Sequence, residues 1–438
     1  MYPEVIGIRC PDVAATRGRW TWSSMTTQPG QIAAESGFTL FDDLELHMQF
    51  APVCRLHDGA VAAVELTLRG PTGTRLGTAR ALRRAARLME QHQILDRRKS
   101  EYAATPTAQS IAKILPLLVP MDLELIDGLD DGTCERLEQR VLVVLPDAVE
   151  RSPQRTLARV ARARREGRIV CVDGLSSSDQ AATLLSLVEP DIVITGAELL
   201  EAVIAPDGTN PDPARLAHTL AAHTERSHAV VIADGVDTEA KRVAAMTLGA
   251  SFGTGALYPS VESPAALHAT TVVALPELPV WSTPPPEAAT PYAIASASLT
   301  PRLGNKRLLI EMSKALEEQA AIGGAAIVVG TFQHARHFTE RTAARWRAMS
   351  ERTGLAGVYG VDLVDIRDGN VHRAPLAPDD DLVEEWNVAV LGPHFAALLS
   401  ARDQHCGADD LDRTFDFVQS YDRLTVTQAV HSILQRFA

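Results

Sequence analysis

Carboxylates are the residues of this sequence best placed to do chemistry. Glu65 lies within the apolar run Ala60–Arg69, Asp173 follows Ile169–Val172, and Asp234 and Asp237 follow Ala229–Ala233. Acidic oxygens that converge at about 2–2.5 Å can hold a hard divalent cation. A cation so held clamps a phosphate and lowers the pKa of an attacking water. The alternative is that the four acids do no chemistry and are satisfied by strand-end backbone or by solvent. Arg69 could contact a phosphate or could pair with a neighbouring acid. In the second half, Phe332, His337, Phe338, Trp386, Phe395, Phe417 and Tyr421 could line a pocket for an apolar or planar ligand, or could form an ordinary aromatic core. His337 and His394 lack a third partner that would make them a metal site. No P-loop or HExxH pattern is present, which removes the commonest nucleotide and zinc-protease signatures.

The elements that must position these residues follow from periodicity. Strand-like runs occur at His47–Leu56, Ala60–Arg69, Ile114–Val119, Val141–Leu145, Ile169–Val172, Ile192–Thr195, Ala229–Ala233 and Phe252–Leu257. Helical spacing occurs at Thr78–Glu90, Ser100–Ala112, Pro153–Glu166, Ser178–Val188, Pro213–Ser227 and Thr238–Leu248. The turn His57-Asp58-Gly59 links the first two strands. Such repeated strand–helix units predict a single (β/α) barrel or a doubly wound sheet, which periodicity alone does not separate. The six prolines of 275–291 exclude regular helix and sheet interiors and mark a stiff linker. Beyond it, strands at Ala325–Phe332, Val358–Asp362 and Val388–Leu391 and helices at Asn305–Ala321, Glu340–Glu351 and Pro393–Ala401 predict a smaller α/β domain. The domain plan is an irregular extension over 1–36, a barrel over 37–273, a linker over 274–295 and a second domain over 296–438. Met25-Thr26-Thr27 offers a second start, which would make the first 24 residues a start-site artefact or a loose tail.

The chain has 438 residues, is 46% hydrophobic and carries a net charge of −13, which suits large cores and offers no basic face for nucleic acid. It has no apolar run long enough for a membrane helix and no signal-like start, so a cytoplasmic protein is expected. The five cysteines are odd in number, scattered and without a CxxC pair, against both a disulfide framework and a zinc site.

Four segments carry a family resemblance. Val64-Glu65-Leu66-Thr67-Leu68-Arg69 resembles the EAL motif of cyclic di-GMP phosphodiesterases. Val170-Cys171-Val172-Asp173-Gly174-Leu175 is similar to the family's DDFG strand end, and Ile232-Ala233-Asp234-Gly235-Val236-Asp237-Thr238 to AEGVET. Gly253-Thr254-Gly255-Ala256-Leu257-Tyr258 resembles the closing GQGYLF strand. The resemblance implies a TIM-type barrel with its site at the C-terminal ends of the strands. It also implies Glu65, Asp173 and Asp234 as residual ligands for Mg²⁺ or Mn²⁺, if any metal site survives, and Arg69 as a phosphate contact.

The sequence departs from that pattern at most catalytic positions. Gly174 stands at the second aspartate, and Asp234 and Asp237 stand at the two glutamates. The catalytic lysine falls on Ile194, ELTE falls on Val143-Val144-Leu145-Pro146, and the late glutamine is Thr254. The metal-binding asparagine has no counterpart placed around Leu118–Asp122. Each such group is typically worth about 10² or more in rate, so no catalysis and no resident cofactor are expected. Ala51 and Ala256, at positions that grip guanine, impoverish the binding of cyclic di-GMP.

Residues 296–437 resemble a DICT sensory domain, through Thr331-Phe332-Gln333, Arg336-His337-Phe338-Thr339, Asp380–Trp386, Val390–Phe395, Phe415-Asp416-Phe417 and Tyr421-Asp422. Phe332, His337 and Trp386 are its candidate ligand residues. The expected protein is a bacterial signalling protein whose degenerate EAL-like barrel acts as receptor or interaction scaffold, coupled to a sensor. The alternative is an active or weakly active metal-dependent phosphodiesterase. Expected partners are cyclic di-GMP or another small ligand, a signalling protein and a second copy of the chain, with no nucleic acid and no membrane.

Overall fold

The turn His57-Asp58-Gly59 starts the fold. The Asp58 carboxylate accepts the Ala60 N–H at 3.2 Å and pairs with Arg55, while Gly59 takes a left-handed φ of +75°. This turn joins β1 (His47–Arg55) to β2 (Val61–Arg69) as an antiparallel hairpin that sets Ala51 opposite Glu65. The computed structural model describes residues 44–128, 139–145, 148–205, 210–261, 263–286, 288–406 and 409–437. The extension over 1–36 lies outside them.

From β2 the chain runs through β3 (Leu117–Asp122), β4 (Gln139–Val144), β5 (Ile169–Leu175), β6 (Ile192–Thr195), β7 (Val230–Ala233) and β8 (Phe252–Gly253), all parallel. The eight strands close into a barrel, so the doubly wound alternative falls away. β1 runs antiparallel to both of its neighbours, β2 and β8. Side chains alternate along each strand, and Val53, Ala63, Val143, Cys171, Ile194 and Ile232 pack the interior. Leu66, Leu68, Val172 and Val231 face outward under the helices.

The helix expected over Ser100–Ala112 is two helices, His92–Ala103 and Pro106–Ala112. Pro106 has no N–H to continue the first, and Thr105 caps the second.

The proline-rich linker is fastened to the barrel. Val280 N–H donates to buried Asp191 at 2.8 Å and Thr283 N–H to Glu189 at 2.6 Å. Leu275 and Leu278 pack against the interior cluster. Asp191 immediately precedes β6, so this strap crosses the N-terminal end of the barrel, opposite the carboxylates.

The second domain is an eight-stranded mixed sheet in the order β12-β13-β11-β10-β14-β15-β16-β9. Its strands are β9 (Arg302–Asn305), β10 (Ile327–His334), β11 (Leu355–Val361), β12 (Ile366–Asp368), β13 (Val371–Pro375), β14 (Glu385–Leu391), β15 (Ala396–Asp403) and β16 (Thr414–Ser420). One face is covered by helices Lys306–Gly323 and Glu340–Ser350, around the fully buried Trp346. Trp346 meets Phe332 edge-on, with centroids 5.8 Å apart.

The helix expected over Pro393–Ala401 is the strand β15, hydrogen-bonded on both sides by β14 and β16. Its first six residues are all buried, so packing inside the sheet overrides the helix preference of Ala and Leu.

Helix Arg423–Leu434 covers the other face and meets the barrel. His431 Nε2 lies 2.8 Å from Leu187 O, and Arg423 donates to Gly392 O at 2.8 Å and to Ser186 Oγ at 3.2 Å. Among the described residues, no helix is long and apolar enough to cross a membrane.

Candidate functional site

The two-residue repeat of a strand carries the interior face upward, from Ala63 to Glu65, from Cys171 to Asp173 and from Ile232 to Asp234. These three acids therefore stand at the C-terminal rim above the apolar filling. They are near enough for their charges to act on one another. Asp237 does not join them. It follows the turn at Gly235, accepts the Ala256 N–H at 2.9 Å and pairs with Lys241 at 3.1 Å, both of which hold its pKa down.

Helix Ala79–Leu88 turns Arg83 into this rim. Its Nη1 lies 2.7 Å from Asp173 Oδ2, and both side chains are largely buried. Asp173 holds the Arg83 pKa up, with help from Glu65 and Asp234. Lys99, buried on helix His92–Ala103, reaches Pro120 O at 2.5 Å and Asp96 at 3.1 Å. Burial lowers its pKa against the pull of Asp96.

The carboxyl of Glu65 is pushed up to about 7, chiefly by burial and further by Asp173 and Asp234, with Arg83 opposing. Asp234 is raised by the same burial, while Thr254 Oγ1 donates to it at 3.2 Å. A pocket of about 10 Å³ lies between Glu65, Leu66, Leu68, Arg83 and Lys99, room for about one water. At Gly174 the backbone takes φ +77°, where a residue with a side chain is strained. Arg69 ends β2 with its Nε buried, and among the described residues it makes no hydrogen bond or ion pair.

The model of the EAL domain matches residues 38–260, just over half of the sequence. The chain belongs to the EAL domain family. The model of the DICT domain, a sensory domain in diguanylate cyclases and two-component systems, matches residues 292–404. No curated protein matches. Among solved structures, the phosphodiesterase PaMucR in complex with cyclic di-GMP is 17% identical over 49% of this chain and 95% of its own, with a TM-score of 0.38. Klebsiella pneumoniae BlrP1 in a manganese and cyclic di-GMP complex is 18% identical over 50% of this chain and 59% of its own, with a TM-score of 0.37. Vibrio cholerae LapD, in an apo form holding its S helix, GGDEF and EAL parts, is 13% identical over 52% and 55%, with a TM-score of 0.37.

In the DICT domain, Phe332 of β10, Trp386 of β14, Phe415 of β16 and His337 border one cavity of about 310 Å³ beneath helix Lys306–Gly323. His337 is neutral near pH 7, because burial and the charges of Lys306 and Arg336 lower its pKa to about 4. His337 Nε2 is buried without a hydrogen-bond partner. Of the other aromatic residues read from the sequence, Phe338 packs on Phe332 at 5.0 Å, while Phe395 and Tyr421 meet elsewhere, 6.1 Å apart.

Sequence reasoning missed Arg83, Lys99 and the group formed by His92, Asp122 and Glu124 beside the EAL rim. One ligand atom from each member of that group lies within 4.8 Å of the others. Its acids already have partners: Arg159 lies 3.2 Å from Glu124, and Arg87 lies 4.0 Å from Asp122. Arg83 and Arg87, four residues apart on a helix that follows the Glu65 strand, were the available signal.

Proposed function

We propose that this is a cytoplasmic signalling protein of the cyclic di-GMP network whose EAL barrel does not hydrolyse the dinucleotide. In this reading the barrel serves as a scaffold, and small-ligand reception belongs to the DICT domain. The observation that carries the reading is the Arg83–Asp173 pair at the strand ends. Two divalent cations need several free carboxylates or amides around them, and here a guanidinium already compensates the acids. Asp237 is committed to Lys241 and Ala256, and Gly174 and Ile194 bring no ligand or proton carrier. The donors present do not fit a metal pair.

The experiment is incubation of the full chain with cyclic di-GMP and Mg²⁺ or Mn²⁺, followed by product analysis. No linear dinucleotide above the no-protein control is expected. Turnover that disappears in Glu65→Ala overturns the reading in favour of an active phosphodiesterase.

One observation favours a second reading, in which the barrel binds the dinucleotide without cutting it: Arg69 at the end of β2 has no partner among the described residues and is available to a phosphate. Calorimetry separates the two. Heat of binding abolished by Arg69→Ala supports the receptor, and no heat supports the scaffold.

A further inference from the structure

The cavity of the DICT domain has a composition that constrains its occupant. Its volume of about 310 Å³ falls in the range of sites for small organic ligands. Phe332, Trp386 and Phe415 supply flat apolar surface, and the Trp386 and Phe415 rings meet edge-on with centroids 6.0 Å apart. Five lysines and arginines line the cavity against two carboxylates, Glu317 and Asp410. Both carboxylates are already engaged, Asp410 with Lys306 at 2.6 Å and Glu317 with Arg345 at 3.3 Å. Lys314 turns outward to Glu311 at 2.6 Å. Arg336 and Arg341 are left without a hydrogen bond or ion pair among the described residues. In a chain of net charge −13, two guanidinium groups outside any ion pair among the described residues, over an aromatic floor, form a local field of the opposite sign.

Two further features mark this as a built site. The buried His337 Nε2 has no hydrogen-bond partner among the described residues, and an orphaned buried polar atom calls for one. Gln333, also in the lining, holds a left-handed φ of +57° where the pairing of β10 with β11 shifts register. Backbone strain of this kind costs about 1 kcal/mol or more and gathers at ligand clamps.

We propose that this cavity takes a small planar organic anion, with its flat body against Phe332, Trp386 and Phe415 and its carboxylate or phosphate toward Arg336 and Arg341. The proposal rests on the assignment of ligand reception to the DICT domain and adds the ligand's chemical class. His337 then supplies one neutral hydrogen bond, and Lys306 and Arg345, tied to their own acids, hold the frame.

The test is a fluorescence titration of the full chain with 8-anilinonaphthalene-1-sulfonate and with its uncharged counterpart N-phenyl-1-naphthylamine. The sulfonate is expected to bind saturably and at least tenfold more tightly than the neutral probe. Arg336→Glu with Arg341→Glu, both exposed and compatible with folding, should remove that tenfold preference and leave the neutral probe within twofold. Displacement of the sulfonate by salicylate identifies a carboxylate site, and displacement by GMP identifies a phosphate site. Displacement by neither overturns the proposal.

Equal affinity for the two probes, or a sulfonate affinity untouched by the charge reversals, also overturns the anionic class. If Trp386→Ala still weakens both probes, the cavity itself stands as a receptor site. Absence of any saturable binding sensitive to Trp386→Ala overturns both the class and the receptor reading.

Discussion

Beside the EAL rim, a pocket lined by Glu65, Arg83 and Lys99 holds about 10 Å³, whereas in the DICT domain five cations and two carboxylates line one of about 310 Å³. Both places use the same side-chain types, and the difference lies in how the charges are matched. At the rim, Arg83 meets Asp173 and Lys99 meets Asp96, each pair largely buried, so opposite charges have closed on one another. In the DICT domain the two carboxylates are consumed by two of the cations and others remain, around a space that has not collapsed. A site that has balanced its own charges has little left for a ligand, and one with a surplus has a use for a counter-charge.

The largest expected effect comes from breaking the balance at the rim. Arg83→Ala leaves Asp173 largely buried and unpaired beside Glu65 and Asp234, and should cost about 2–4 kcal/mol in urea unfolding. Arg83→Ala with Asp173→Asn should recover much of that loss, because the stranded charge goes with its partner. A single variant as stable as the native chain would show that the rim acids are not held by Arg83.

The next effect is pH-dependent. Glu65 has a folded pKa of about 7 against an ordinary 4.5. Its protonated form is thus favoured by folding, and the associated stability is fully present below about pH 4.5 and lost as pH rises through about 7. Glu65→Gln should therefore match the native chain near pH 4.5 and exceed it by about 1–3 kcal/mol at pH 8. Melting curves across that range check the sign. A constant difference would place Glu65 in a more solvated setting than the rim geometry gives it.

The smallest effect belongs to the DICT cavity. Arg336 and Arg341 are exposed and make no ion pair among the described residues, so reversing both should change stability by no more than about 0.5 kcal/mol. A large loss would mean that these arginines hold the fold, and the contrast with Arg83 would disappear.

The fold was legible where strands carry their own punctuation. The apolar run Ile192–Thr195 coincides with β6, and Asp58-Gly59 marks the first hairpin. Barrel closure and the reversed first strand were not readable from periodicity, because parallel and antiparallel pairing leave the same apolar alternation. Pro393–Ala401 failed for a related reason: a continuous apolar run fits a buried strand as well as a helix, and its place between β14 and β16 decided the outcome.

At the site, Glu65, Asp173 and Asp234 were visible from their motifs, and the structure sets them on one rim. Arg83 was not, since a helix with arginines at 80, 83, 84 and 87 looks like a solvated face until its packing is known.

The strap from Leu275 to Thr283 has a consequence for how the molecule comes apart. Leu275 and Leu278 close the base of the EAL interior, while Asp191 and Glu189 bind backbone that leads into the DICT sheet. Helix Arg423–Leu434 then returns to the barrel wall at Ser186 and Leu187. Melting either half uncovers the apolar surface of the other, so the two should be lost in one calorimetric transition whose van't Hoff and measured enthalpies agree. Cutting the chain before the prolines would leave the barrel open at its base, and the excised barrel should melt earlier than it does in the intact protein.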